Sequence, residues 1–339
     1  MNLRSLLVPT VALGAVVALA ACSGGTTPSA SEGDADLKVA IVLGGLANDG
    51  GFNQIGADAV NSIADEGRAE VSIKESVHDS TDAEAAFRQY ASQGYDLVIG
   101  WGLGFSESVF KVGEELPETD FVATGGADIL EKATDNVATW TYASDQQGYL
   151  TGWIAGKSGL SPIAVVDGQL APFNEASYAA VELGLAEANP DAVQLEPIFT
   201  GSWEDPTLAN QAAQAQIAAG AKLILTAAEG FTSGVLSAAK DAGVATLGAS
   251  NTSSSDAADV NLGLVTIDWA PVLSEIVATL EDDSFGGQSY TSTIENKGLV
   301  LRDFNQVDAA PDFPADIEEQ INALAEQIAS GDVVISAAN

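Results

Sequence analysis

From Leu37 onward the chain alternates short apolar runs with amphipathic stretches, and the alternation restarts once. Residues 37–43 (LKVAIVL) are almost continuously apolar, the mark of a strand buried on both faces. Residues 54–67 follow with Ile55, Ala59 and Ile63 four apart, which predicts an amphipathic helix. Strands over 70–75, 97–100, 121–124 and 137–142 and helices over 81–93 and 106–115 complete a first set. Thr81 with Glu84 has the spacing of a capping box. A second set runs through helices at 146–157, 174–187, 207–219 and 232–241 and strands at 163–166, 194–199, 222–227, 245–248 and 262–267. A helix over 271–280 comes next. Residues 290–295 and 299–302, split by Asn296-Lys297-Gly298, read as a hairpin. Ile317, Ile321, Leu324 and Ile328 stripe a last helix. Alternation on this scale means parallel sheets covered on both faces, and two successive sets mean two sheets.

Composition removes many chemistries. The 339 residues carry 12 Lys+Arg against 48 Asp+Glu, a formal charge of −36. A nucleic-acid binder displaces counterions with basic patches, and this chain has too few cations to build them. One Cys, Cys22, excludes an internal disulfide, and with one His, His78, it excludes a Cys/His zinc site. A Ser-His-Asp triad could draw only on His78, which falls in Val77-His78-Asp79-Ser80 between a strand and a helix and reads as a loop histidine. The expectation is therefore a protein without catalytic residues, metal or cofactor.

Residues 1–21 read as a secretory leader. Arg4 gives a short positive start, and residues 6–21 are apolar apart from Pro9, Thr10 and Gly14. The run is short for a bilayer span, which takes about 20 apolar residues. It ends Leu19-Ala20-Ala21-Cys22, the pattern of a bacterial lipobox, and the chain's only Cys stands where a thiol is needed for acylation. Two acyl chains give stable anchoring, each buried CH₂ being worth about 0.8 kcal/mol. Residues 22–36 then form a lipid-anchored linker rich in Gly, Ser and Thr. The expected location is the extracytoplasmic face of the cell membrane.

Ligands of open α/β sheets sit beyond the carboxyl ends of the strands. The first strand runs into Gly44-Gly45-Leu46-Ala47-Asn48-Asp49-Gly50-Gly51-Phe52-Asn53. Its glycines let backbone approach a ligand, Asp49 and Asn53 offer polar contacts, and Phe52 offers a ring face. The turn lacks both the Gly-Lys-Ser/Thr ending of a Walker loop and a G-x-G-x-x-G run. The third strand enters Gly100-Trp101-Gly102-Leu103-Gly104-Phe105. In the second set, Thr200-Gly201-Ser202-Trp203-Glu204-Asp205-Pro206 and Ala228-Glu229-Gly230-Phe231 repeat the association of a ring with Gly and a carboxylate. Asp205 before Pro206 fits a helix cap. The ligand candidates are Asp49, Phe52, Asn53, Trp101, Phe105, Trp203 and Glu229, with rings to sandwich a flat heterocycle and carboxylates to accept its N–H groups. For each ring the competing reading is a place in the core.

The string KVAIVLGGLANDGGFNQIG, continued by YDLVIGWGLGF, NVATWTYASDQQGYLTGWIAG, GSWEDP and AAGAKLILTAAEG, resembles the basic-membrane-protein family of bacterial substrate-binding lipoproteins, the purine nucleoside receptor-like group. The resemblance covers about residues 37–305. It implies a type I periplasmic-binding-protein fold: α/β, two Rossmann-like lobes with parallel sheets, joined at a hinge by three crossovers. Residues 37–144 with about 268–286 would form the N-terminal lobe, and 145–267 with about 287–305 the C-terminal lobe. Residues 306–339 would form a helix and tail of unassigned lobe. Asp49, Phe52 and Asn53 match the family's first loop, and Gly104 and Phe105 its second. Trp203 and Asp205 match a subgroup reading S-W-x-D-P, with Trp269 and Pro271 resembling its N-W-G-P. Glu229 stands where Asp is common.

The implied role is the extracytoplasmic receptor of an ABC importer. As a monomer it would bind a purine base or nucleoside-like heterocycle between its lobes and present it to the membrane permease. Three departures bear on the ligand. Gly248-Ala249-Ser250 replaces a Gly-Val-Asp that grips ribose hydroxyls, Thr266-Ile267-Asp268 occupies the region of a family Lys, and Gly125-Gly126 stands where Asp is frequent. A free base or another small polar heterocycle is as open a reading as a nucleoside. The alternative function is a ligand-sensing surface lipoprotein that signals to a partner protein, with an enzyme as the remaining class.

Overall fold

The computed structural model describes residues 37–170, 172–226, 230–249, 254–282 and 284–335. The expected leader, Cys22 and the linker lie outside the described residues, as do Glu229 and Ser250. The first set of elements is β1 (Leu37–Leu43), α1 (Phe52–Asp65), β2 (Ala69–Lys74), α2 (Ser80–Ser92), β3 (Leu97–Trp101), α3 (Ser106–Glu115), β4 (Asp120–Thr124) and β5 (Val137–Tyr142). The second is α4 (Ser144–Lys157), β6 (Ile163–Asp167), α5 (Pro172–Ala188), β7 (Ile198–Phe199), α6 (Pro206–Ala218), β8 (Leu223–Thr226), α7 (Thr232–Ala242), β9 (Ala245–Leu247), α8 (Ser255–Val260) and β10 (Leu264–Ile267). The chain then adds α9 (Ala270–Glu281), β11 (Ser289–Ser292), β12 (Leu299–Arg302) and α10 (Ile317–Ser330).

Two parallel sheets result. The first has the order β11-β5-β4-β3-β1-β2 and the second β7-β6-β8-β9. Val39 to Leu43 of β1 are fully buried, as a strand covered on both faces requires. Helices α1 and α9 cover one face of the first sheet, around Ile41, Ile63, Trp101, Leu273 and Ile276. Helices α2 and α3 cover the other, around Phe87, Val109 and Phe121. The second sheet has its own cores, one built with α4, α5 and α10 and the other with α6 and α7. Helix α10 buries Ile317, Ile321, Leu324 and Ile328 against the second lobe, so the last helix belongs there.

Three segments cross between the lobes, and hydrogen bonds tie them together. Ala143 N–H donates to the Ser292 carbonyl at 2.9 Å, and Asp268 N–H to the Gly298 carbonyl at 3.0 Å. Ile294 N–H donates to Gln146 Oε1 at 3.0 Å.

Four expectations change. The hairpin does not form: β11 pairs in parallel with β5, and β12 pairs antiparallel with β10. β11 therefore belongs to the first sheet, which removes it from the lobe expected for residues 287–305. The strand over 194–199 contracts to Ile198–Phe199, with Gln194 keeping one bridge to Ile163. Pro197 lacks the N–H that a ladder needs, and the strand lies at the sheet edge. Asp79, not Thr81, caps α2 by accepting from Asp82 N–H, and Glu84 pairs with Arg88 and Lys111 instead. Helix α8 and the 3₁₀ turn Ala127–Lys132 were not foreseen.

One helix contact is unusually close. Gly148 and Gly152 of α4 face the α5 backbone, where a Cβ would lie 2.1 Å from the Ser177 carbonyl oxygen and 2.0 Å from that of Val181. Gly184 of α5 returns the contact at 2.0 Å from the Tyr149 carbonyl oxygen. Only glycine permits this approach.

Candidate functional site

In each sheet the strand order reverses at one place, between β1 and β3 in the first and between β6 and β8 in the second. Such switch points open a crevice beyond the carboxyl ends of the strands. A single cavity of about 1060 Å³ is bordered by both sets of strand ends. From the first lobe come Gly44, Gly45, Asp49, Phe52, Asn53 and residues 101–105. The second contributes Asp167, Asn174, Tyr178, Trp203 and Thr226, with Gln147 and Thr151 from α4.

Six of the seven expected residues border this cavity, but their roles separate. Phe52 is half-buried at the start of α1 and stacks on Trp101 with ring centroids 4.7 Å apart. Trp101 in turn stacks on Trp140 at 4.5 Å, and Trp269 leans against both. Trp101 is 1% exposed and donates its indole N–H to the Phe52 carbonyl at 2.8 Å, so it is the backing of Phe52. Phe105 is 6% exposed and meets Phe87 edge-on, which gives it to the core. Trp203 is half-buried and lies over Gly168, where a Cβ would fall 2.3 Å from the indole. Its carboxylate neighbour Glu204 reaches across to the first-lobe loop, 3.4 Å from a Cβ placed on Gly45.

The polar residues of the first loop are occupied by their own backbone. Asp49 accepts from the N–H groups of Gly51 at 2.8 Å and Gln54 at 3.1 Å, and from the Asn53 side chain at 2.8 Å. Asn53 Oδ1 accepts from Gly45 N–H. Together they close the turn and cap α1, where the negative charge also suits the helix dipole. Asp205 caps α6 through Thr207 and Leu208, as its spacing before Pro206 foretold. Asp268 accepts from Ala270 N–H at the start of α9.

Two residues missed in the sequence stand at the second switch point. Asp167 ends β6 and is 4% exposed. It accepts from Gly168 N–H at 2.7 Å and from the Tyr178 hydroxyl. Burial pushes its carboxyl from 3.8 up to about 7, against the opposing pull of the Gly168 N–H and the Asn174 side chain. Thr226 ends β8, 8% exposed, and its buried hydroxyl has no hydrogen-bond partner among the described residues. A charged residue closing the apolar run IAVVD was the available signal, lost by ending the strand at Val166. The lining residues include Asp49, Asp79, Asp167 and Glu204 but no Lys or Arg among those described, with His78 exposed at the rim. Such a wall repels anions and accepts neutral, donor-rich solutes.

Two α/β lobes enclosing a polar-aromatic cavity at their strand ends define a solute-binding protein. The sequence model of the PnrA-like ABC transporter substrate-binding proteins matches residues 37–335, and the chain belongs to that family. An ABC transporter solute-binding protein from Conexibacter woesei has the same fold, with a TM-score of 0.77 and 33% identity over 88% of this chain and 98% of that one. Basic membrane protein A2 of Borrelia garinii is 25% identical over 61% of this chain. A Haloferax volcanii protein, whose name assigns it to glucose binding for an ABC transporter, is 25% identical over 73%. This chain spans 60% and 61% of the lengths of those two relatives. The family is one of extracytoplasmic solute-binding proteins rather than enzymes. No helix among the described residues is long and apolar enough to cross a membrane.

Proposed function

We propose that the chain is the lipid-anchored receptor of an ABC importer, holding a purine base or nucleoside-like heterocycle between its lobes and presenting it to the permease. The observation that carries this reading is the cavity itself. It has the size of a small-molecule site, and a ring stands at its border in each lobe, Phe52 in one and Trp203 in the other. Flat heterocycles gain from such faces, and the absence of lining cations among the described residues speaks against phosphate-bearing ligands. Closure over the ligand would draw on the three tied crossings, and a closed form gains population only by the difference in affinity between states. Anchoring would rest on acylation of Cys22.

The test is mass spectrometry of solute released from purified protein by denaturation, joined to a thermal-shift panel of bases and nucleosides. A purine in the released fraction, or a rise in melting temperature with one, supports the reading. A protein that responds to no purine sinks it. The name of the Haloferax relative gives a second ligand class, a hexose, whose apolar face also stacks on rings.

A further inference from the structure

We propose that the cavity extends into an aliphatic alcove beneath α4 and α5 of the second lobe, and that this alcove selects a heterocycle carrying a small alkyl substituent over the bare ring. The proposal deepens the receptor reading and rests on it. In the first lobe the strands meet the cavity at their ends, through Trp101 of β3, Thr124 of β4 and Tyr142 of β5. In the second lobe the cavity runs further in. Val165 and Val265 border it from two residues before the ends of β6 and β10, and Leu225 from one residue before the end of β8. Val165 and Leu225 are paired in the β6–β8 register. Side chains alternate along a strand, so both point to the face that α4 and α5 cover, where Val265 and Val181 of α5 pack in the same apolar cluster.

The helices leave room above this floor. Thr151 of α4 and Ser177 and Tyr178 of α5 border the same space and are only half-buried. Val181, Leu225 and Val265 are each 4% exposed, so the floor is narrow but reached from the cavity. Gly148, Gly152 and Gly184 hold α4 on α5 by backbone contact, which makes the two helices one roof. Three polar side chains of the alcove already donate within the protein. The Thr151 hydroxyl donates to the Gln147 carbonyl at 2.8 Å, the Gln147 amide to the Val265 carbonyl at 3.0 Å, and the Tyr178 hydroxyl to Asp167. What remains for a ligand is chiefly hydrocarbon, and each CH₂ seated on it gains about fourfold in affinity. A polyhydroxyl substituent would leave water there without recovering its hydrogen bonds. Size agrees: drug-sized ligands occupy clefts of about 300–1,000 Å³, and a cavity of about 1060 Å³ holds more than a bare ring.

The test uses the full folded protein and isothermal titration. The probes are adenine, adenine carrying a methyl or butyl group at N6 or at N9, adenosine, glucose and butyl glucoside. The expected result is that one of the two alkyl series tightens over adenine, by about fourfold for methyl and about 50-fold for butyl. Adenosine, with a polyhydroxyl substituent, gains less than that butyl compound. Thr151→Leu fills the alcove from the roof and Leu225→Phe from the floor. Both variants bring the ratio of butyl to parent affinity down to about one. Filling open space leaves the melting temperature of the ligand-free protein at or above the wild-type value, whereas overpacking a closed core lowers it.

Adenine binding with no gain from an alkyl group at either position overturns the alcove and spares the receptor reading. Adenosine binding more tightly than both butyl compounds also overturns it, since the substituent would then meet polar groups. A fall of several degrees in the melting temperatures of both filled variants marks a closed core and overturns the alcove whatever the protein binds. Folded variants that keep the wild-type ratio of butyl to parent affinity do the same. Binding of glucose but no purine, with a gain for butyl glucoside that the filled variants lose, refutes the purine reading and upholds the alcove. A wild-type protein that binds none of these probes overturns both.

Discussion

The two walls of the cavity are built on opposite plans. On the first-lobe wall Phe52, Trp101 and Trp140 stack in series with Trp269 tilted against the two indoles, and Asp49 and Asn53 bond within their own turn. On the second-lobe wall the Asp167 carboxyl is buried at a strand end, where it accepts from the Gly168 N–H and the Tyr178 hydroxyl. The lesson is that a residue type at the right loop does not define its work. Asp49, in the loop after β1, and Asp167, the last residue of β6, border one space, yet one is a helix cap and the other a buried carboxyl held by a tyrosine of α5.

Four experiments press on this contrast, from the largest effect to the smallest. Trp101→Ala removes the backing of the ring stack and should cost about 3–5 kcal/mol of stability, read by chemical denaturation. Phe52→Ala, half-buried on the same stack, should cost only about 1–2 kcal/mol. Equal losses would dissolve the distinction between backing and surface. Gly152→Ala drives a methyl group against the Val181 carbonyl and should lower stability by about 2–3 kcal/mol. A melting temperature at the wild-type value would show that α4 can yield.

The third experiment follows stability with pH in the ligand-free protein. The Asp167 carboxyl is held at about 7 in the fold against 3.8 as its ordinary value. Between those values the folded state keeps a proton that the unfolded chain has released. The stability it contributes is whole below about pH 4 and is lost as the pH rises through about 7. Asp167→Asn has no such proton to lose, so its advantage over the wild type should grow to about 2 kcal/mol at pH 8. Asp120, pushed up to about 6 by burial and by Asp96, moves in the same direction in both proteins and cancels in the difference. A constant difference across pH 4–8 would mean that Asp167 is solvated. Last, Asp49→Ala should cost about 1 kcal/mol through the lost α1 cap while leaving the ratio of affinities between ligands unchanged. A changed ratio would return Asp49 to ligand contact.

Much of the architecture was legible because buried parallel strands are written as apolar runs. LKVAIVL and YDLVIGW need no partner to be recognised. Pairing was less legible, because it is not local. Residues 290–295 and 299–302 look like neighbours, but their hydrogen bonds go to β5 and β10. The ring-rich loops were found, yet Trp101 and Trp203 look alike in sequence. Only packing sends one indole under Phe52 and lays the other over Gly168. Asp167 escaped notice because a single aspartate at the end of a run reads as the first residue of a loop.

Where α4 crosses α5, main chain rests directly on main chain at Gly148, Gly152 and Gly184. No rotamer is available there to absorb a displacement, so the two helices behave as one stiff plate. Gln147 and Thr151 ride on one side of that plate, and Asn174, Ser177 and Tyr178 on the other. A relative of this chain could exchange those five side chains for a different solute without re-cutting the plate that carries them.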